Sequence, residues 1–345
     1  MKINKIKILL LILPSIVYGC HTKTDPDDNN TNKVEYELVK EWPQLSPRYI
    51  LSQPTGIGID SREHIFVFHR TGRKWTNPFP DSLISLNTIL ELENETGKIF
   101  NSWGANQFIM PHGLTVDKDD NIWVTDVALH QIFKFNHEGQ LLMKLGVPRV
   151  SGNDSLHFFL PTDVAVANDG SFYVSDGYGN SRVVKFSSLG KYLFEWGTHG
   201  NKPGQFDIPH GIALDESGNV FVADRQNNRI QIFDERGEFL KELKNNESVA
   251  QVPSLTIDKG QNLFAIDYDF TTVPDTLVKG STIFKYDSTE SIIFHFGATG
   301  EKKRTPSWFH DISVDKQGNI YVGDIMGLKV LKFRMKSLDE SEVKK

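Results

Sequence analysis

The chain is predicted to be all-β, a single six-bladed β-propeller, and three observations in its 345 residues predict this. One opening motif recurs six times, as PTGIGID from Pro54, PHGLTVD from Pro111, PTDVAVA from Pro161, PHGIALD from Pro209, VPSLTID from Val252 and FHDISVD from Phe309. Each copy holds further short β-rich runs split by turn residues, the pattern of strands, and no long window shows helical spacing. The period lies in the forties to fifties of residues, which is the length of a four-stranded blade. A period of about 20 residues would suggest a leucine-rich solenoid, and alternation with helical segments would suggest a parallel α/β sheet.

Within a copy the elements follow in a fixed order. The opening strand runs into a turn rich in Asp, Gly and Asn, such as Asp119-Asp120-Asn121 or Ser217-Gly218-Asn219, whose side chains favour tight turns. A short apolar strand comes next, read in IWVTD, FYVSD, VFVAD and IYVGD. After a polar loop an alternating stretch (QIFKF, RVVKF, RIQIF, KVLKF) forms the third strand, and a fourth closes at Leu145-Gly146, Trp196-Gly197 or Phe296-Gly297. The segment YELVKEW, from Tyr36 to Trp42, is left over upstream. It is expected to supply the outer strand of the last blade, because closing the ring removes an exposed sheet edge.

The two ends differ from this core. Lys2, Lys5 and Lys7 precede an apolar stretch from Ile8 to Val17 that ends at Gly19-Cys20, and this arrangement resembles a bacterial lipoprotein signal. Residues 1–20 are therefore expected to be a signal peptide with Cys20 lipidated, 21–34 a disordered tether, 35–336 the propeller and 337–345 a polar tail. The expected location is extracytoplasmic, anchored through lipid to a bacterial membrane at the periplasmic face or cell surface. The apolar stretch is shorter than the roughly 20 residues needed to span a bilayer. Cys20 is the sole cysteine, so no disulfide is expected. A net charge of −6 with no basic stripe argues against a nucleic-acid partner. The chain is expected to be a monomer.

The chemistry is carried by one slot of the repeat. His112, His210 and His310 fill it in the second, fourth and sixth copies, while Thr55, Thr162 and Ser254 fill it in the others. In a closed six-fold ring alternate blades lie about 120° apart, so three imidazoles converge on the axis. Three neutral imidazoles with an open fourth position make a catalytic zinc site. The other eight histidines share no slot and are read as structural. A second ring follows the second strand, where five copies place Asp (Asp126, Asp176, Asp224, Asp267, Asp324) and the first places His69. Arg70 and Arg225 come directly after that position in copies one and four. Two guanidiniums facing a metal call for an anion between them, a carboxylate substrate being the natural one. Tyr178 lies in a loop one residue longer than its counterparts, between Gly177 and Gly179, which are expected to let the backbone turn sharply. A phenol beside a metal or an Arg is a usable base.

Together the strings FHR, PHG, WVTDVALHQ, PTDVAV, VSDGYGNSR, PGQFDIPH, ADRQNNR and FHDI, within a similarity that runs in order from about Pro54 to Phe333, resemble the peptidyl-α-hydroxyglycine α-amidating lyase family, propellers of the NHL-repeat class. The likeness weakens in the blade-five insertion, Tyr268 to Ser281. It implies a catalytic Zn2+ on His112, His210 and His310, a catalytic Tyr178 and active-site Arg70 and Arg225. It also implies a structural Ca2+ on Asp311 and the backbone carbonyls of Ile57 and Leu114. The implied reaction cleaves the N–Cα bond of a peptidyl- or N-acyl-α-hydroxyglycine to an amide and glyoxylate.

Three departures from the family stand out. Animal members carry a disulfide where this chain has Phe159 and Gly179, so packing is expected to hold the tyrosine loop. A methionine two residues before the third zinc ligand is replaced by Trp308, which is expected to reshape the substrate pocket. The copper monooxygenase partner domain is absent, so another protein is expected to make the hydroxyglycine. Two other functions compete with the lyase: a propeller hydrolase using metal-bound water, whose sites generally need carboxylate and Asn ligands, and a non-catalytic NHL-type propeller binding a protein or glycan. The latter gives no reason for His to alternate around the ring.

Overall fold

A computed structural model describes residues 35–336 apart from 48, 50, 245–249, 269–278, 288, 290 and 300–306. Cys20, the expected tether and tail, and most of the blade-five insertion lie outside the described residues. The described chain forms six antiparallel four-stranded sheets, the blades of a β-propeller. The first strands are Pro54–Ile59, Pro111–Val116, Asp163–Val166, Pro209–Leu214, Gln251–Ile257 and Phe309–Val314. Each touches the first strand of the next blade, and the sixth returns to the first.

Burial is graded outward from these strands. Second strands such as Ile122–Asp126 and Val220–Asp224 are buried at every residue, so their sequences are apolar but for a terminal Asp and, in the former, Thr125, whose hydroxyl donates to Thr162 O at 2.8 Å. Fourth strands such as Tyr192–Trp196 alternate between half-buried and exposed residues, the pattern of a sheet edge with one solvated face. The core is divided among the seams between blades. Phe66, Phe68 and Ile89 of blade one pack on Phe108, Leu114 and Phe135 of blade two, and each later seam has its own cluster.

The expected closure is present. Glu35–Leu38 pairs antiparallel with Lys329–Lys336, from Glu35 opposite Lys336 to Leu38 opposite Phe333, and forms the fourth strand of the sixth blade. The strand stops before Trp42. That residue turns into the seam between blades six and one, where its ring centroid lies 5.2 Å from that of Tyr321 and its Nε1 donates to Asn94 O at 2.8 Å.

One expectation is corrected by the register. Leu255 pairs with Ala265 as Ile212 pairs with Val222, so the residue equivalent to His210 in blade five is Pro253, and Ser254 falls one position further along the strand. Pro253 is the second residue of VPSLTID as His210 is of PHGIALD, and pairing across the sheet fixes the same register.

Candidate metal centre and active site

Each of the three histidines is the second residue of an inner strand, and in each case the pairing register shifts there: between Pro111 and Leu114, Pro209 and Ile212, and Phe309 and Asp311. A bulge bends the strand and re-aims one side chain, here toward the axis. The Nδ1 of His112 lies 2.7 Å from Thr162 O, that of His210 2.7 Å from Pro253 O and that of His310 2.8 Å from Thr55 O. Because a carbonyl only accepts, Nδ1 must carry the proton and donate, which leaves the Nε2 lone pair for a ligand. All three rings are buried, with centroids 4.7, 4.7 and 5.0 Å apart, and one ligand atom of each lies within 4.8 Å of the others. Burial, then the nearby Arg70 charge, holds His310 down at about 3. Burial also holds His112 and His210 well below their usual value, helped by His310 and Arg70 at the first and by Arg225 at the second. Neutral imidazoles converging with unprotonated Nε2 atoms are a fitting donor set for zinc.

The Tyr178 hydroxyl stands at this ring. Its oxygen is 3.1 Å from His112 Nε2 and 3.0 Å from His210 Nε2, and Arg225 Nη1 donates to it at 3.1 Å. Packing and backbone bonds hold the loop where a disulfide was not available. Gly179 N donates to Phe159 O at 2.9 Å, and the Phe159 ring lies so close to Gly179 that an added Cβ would meet it at 2.2 Å. A Cβ on Gly177 would stand 1.9 Å from Pro209 O. Neither glycine has a positive φ, so the expected sharp turn is not the reason for them. Close backbone approach is.

Both arginines reach the site. Arg225 is buried, and its guanidinium lies 5.0 Å from the Tyr178 ring centroid, with Nε left without a hydrogen-bond partner. Arg70 is buried beside Tyr178, with Nε donating to Pro111 O at 3.1 Å. Burial pushes it down to about 10, while Tyr178 and Asp126 support its charge. Trp75, which sequence analysis passed over, has its centroid 5.3 Å from the Arg70 guanidinium and 5.2 Å from the Tyr178 ring. Trp308 packs on Tyr268 with ring centroids 4.6 Å apart and planes tilted by 37°. Burial raises the Tyr268 phenol and the Arg225 charge opposes the shift, so Trp308 belongs to an aromatic wall beside that guanidinium.

Next to the histidines along the axis are two facing carboxylates. Asp311 follows His310, and Asp163, also missed in the sequence, takes the equivalent place in blade three. Asp311 accepts from Ile57 N at 2.7 Å and from Ser254 Oγ at 2.6 Å. Burial raises it to about 7, and burial plus the Asp311 charge raises Asp163 well above the usual carboxylate range. Both line one cavity with Ile57 and Leu114. Paired buried carboxylates among backbone groups suit a hard, oxygen-seeking cation. The second ring has the expected turn-bonding role: Asp126 accepts from Ile109 N, Met110 N and Leu129 N, and Asp324 from Trp308 N and Gly327 N.

Three stretches of the chain, 108–135, 160–186 and 206–233, match the NHL repeat family. The chain is 36% identical to peptidyl-glycine alpha-amidating monooxygenase B of Xenopus laevis, over 94% of this chain and 38% of that protein. It is 33% identical to peptidyl-alpha-hydroxyglycine alpha-amidating lyase 2 of Drosophila melanogaster, over 84% of this chain and 72% of that protein. It thus spans well under half the length of the amidating monooxygenases it matches. Among solved structures, virginiamycin B lyase from Staphylococcus aureus shares the fold, with a TM-score of 0.55 and 14% identity over 88% of this chain and 100% of that one.

Proposed function

Because the chain belongs to the peptidyl-α-hydroxyglycine α-amidating lyase family, we propose that it cleaves the N–Cα bond of a peptidyl- or N-acyl-α-hydroxyglycine, releasing an amide and glyoxylate. One observation carries this reading: the Tyr178 oxygen is shared by His112 Nε2, His210 Nε2 and Arg225 Nη1 at 3.0 to 3.1 Å. That is where a proton-transfer group must stand if the substrate hydroxyl meets the three histidines.

A Zn2+ ion on His112, His210 and His310 would supply Lewis-acid polarisation of the substrate hydroxyl oxygen. Arg70 holds the substrate carboxylate, fixing the hydroxyl toward Tyr178. The Tyr178 phenolate takes the hydroxyl proton, and the electron pair left on oxygen becomes the C=O of glyoxylate as the Cα–N bond breaks. Tyr178 returns the proton to the departing amide nitrogen and ends unchanged. Arg225, bonded to the same oxygen, sets its positive charge against the charge that comes and goes there. Trp75, Tyr268 and Trp308 offer aromatic surface to the acyl or peptide part. A Ca2+ ion on Asp311, with the carbonyls of Ile57 and Leu114, would neutralise the facing carboxylates.

The same reading makes the protein a monomer, exported and held at a membrane through lipid on Cys20. Assay of the purified chain for glyoxylate release from an N-acyl-α-hydroxyglycine tests the activity. A metal-loaded, folded chain that releases none would refute it.

A further inference from the structure

Blade one departs from the repeat at a second place, at the far end of its inner strand from the histidine slot. In blades two, four, five and six the inner strand is followed by an Asp that accepts from the side chain of an Asn four residues on, as in Asp117 with Asn121 and Asp315 with Asn319. In four blades a third-strand lysine lies over the aromatic second residue of the second strand, as Lys134 over Trp123 and Lys332 over Tyr321. Blade one keeps the Asp as Asp60 and the aromatic as Phe66. It puts His64 in the Asn slot and, opposite Phe66, Glu91 in the lysine slot. The neighbouring turn of blade two adds His137, whose ring meets the Phe66 ring edge-on at 5.5 Å.

These substitutions exchange an amide and a cation for an imidazole and a second buried carboxylate, and His137 adds another imidazole. The side chains of Asp60 and Glu91 are 0% and 1% exposed. Asp60 Oδ1 accepts from Arg62 N and His64 N at 2.9 and 2.7 Å, which leaves Asp60 Oδ2 and Glu91 Oε1 facing the imidazoles, where a buried negative charge is held by a cation or a metal. Arg62 leans on the cluster, bonding His137 Nε2 and lying 3.6 Å from Asp60 Oδ2, but its side chain is 54% exposed and free to swing into solvent. The donor atoms already stand at coordination spacing. His64 Nδ1 is 2.7 Å from Glu91 Oε1 and 3.4 Å from Asp60 Oδ2, and His137 Nε2 is 3.0 Å from Asp60 Oδ2 and 3.5 Å from Glu91 Oε1. A tetrahedral ion with ligands at about 2.0 Å has edges of about 3.3 Å.

We propose that Asp60, His64, Glu91 and His137 bind a second divalent transition ion of the zinc class. Mixed imidazole and carboxylate donors suit such an ion, and four protein ligands close its coordination, as in a structural site. Three ligands come from blade one and one from blade two, so the ion ties neighbouring blades. It stands about 16 Å from the axial histidine slot, the run of the inner strand, and its role is independent of the lyase activity.

The test uses the full chain with His210→Ala, which disables the axial site, stripped by chelator and titrated with Co2+ while visible absorption is followed. Binding of one equivalent with tetrahedral bands, lost when His64→Asn and Glu91→Lys are added, is the expected result. Those two changes write into blade one the residues its sister blades already carry, so the fold is expected to survive, with circular dichroism as the check. Co2+ should also raise the thermal midpoint of the His210→Ala chain and leave that of the triple variant unmoved. No saturable signal in His210→Ala, or an undiminished one in the triple variant, overturns the proposal and leaves Arg62 as the resident cation.

Discussion

Arg225 donates through Nη1 to the hydroxyl of Tyr178 at 3.1 Å, although the two residues come from different blades. The pair is assembled by close packing of the blade-three loop on the start of blade four, where Gly177 meets Pro209. Activity should therefore depend both on the phenol and on the backbone that brings it there.

Replacing Tyr178 by Phe removes only the oxygen. Steady-state kinetics should show kcat down roughly 10²-fold or more, the usual scale for a positioned acid or base, with KM and metal content little changed. Arg70→Ala should instead raise KM and lower kcat together, because it binds the carboxylate in the ground state as well as in the transition state. Near-full glyoxylate release by Tyr178→Phe would remove the phenol from the mechanism.

Gly177→Ala puts a methyl group against a backbone carbonyl that cannot step aside. The variant should lose about 1–3 kcal/mol of stability and most of its glyoxylate release, yet keep its metal, since no histidine is moved. Thermal melts paired with elemental analysis separate these effects. A fully active variant would show that the loop tolerates displacement.

His210→Ala should lower the transition-metal content by one ion per chain and abolish turnover. The ring should stay folded, because the change gives up two side-chain hydrogen bonds, to Pro253 O and to the Tyr178 hydroxyl, each worth about 1 kcal/mol. Elemental analysis that finds the same metal content as in the parent would remove the axial site from the account.

Burial holds His69 at about 4 against its ordinary 6.5, while its backbone bond to Ser52 opposes the shift, and Tyr49 Oη lies 3.1 Å from its Nε2. A histidine depressed in the folded state stabilises the fold while neutral. Its contribution is complete above about pH 6.5 and is lost as pH falls toward 4, by at most about 3 kcal/mol. Denaturant melts across that window should show a shallower loss for His69→Gln than for the parent. Parallel curves would mean that His69 does not titrate on unfolding.

Cys20→Ser should leave the protein unprocessed or free of the membrane. Fractionation and electrophoretic mobility identical to the parent would rule out the lipid anchor.

The six blades and the alternating histidines were legible because a repeat supplies its own alignment, so residues that break it stand out. Tyr178 stood out the same way, through one extra residue. In blade five the slot holds Pro253, the second residue of VPSLTID, and pairing with the second strand fixes that register. Trp75 escapes the repeat pattern because it lies in the long connection between the second and third strands of blade one, outside the repeated motifs. Asp163 and Asp311 face each other only once the ring is closed. His64 and His137 occupy unlike slots in two blades, and only packing across the seam puts them in one cluster.

The bond from His310 Nδ1 to Thr55 O joins residues 255 apart in the chain. The third imidazole is thus delivered by the last blade and braced by the first. The first five blades hold only two of the three imidazoles, so their convergence is a property of the closed ring and of no smaller piece of it. A chain cut before the sixth blade loses the third imidazole together with the partner of Thr55 O.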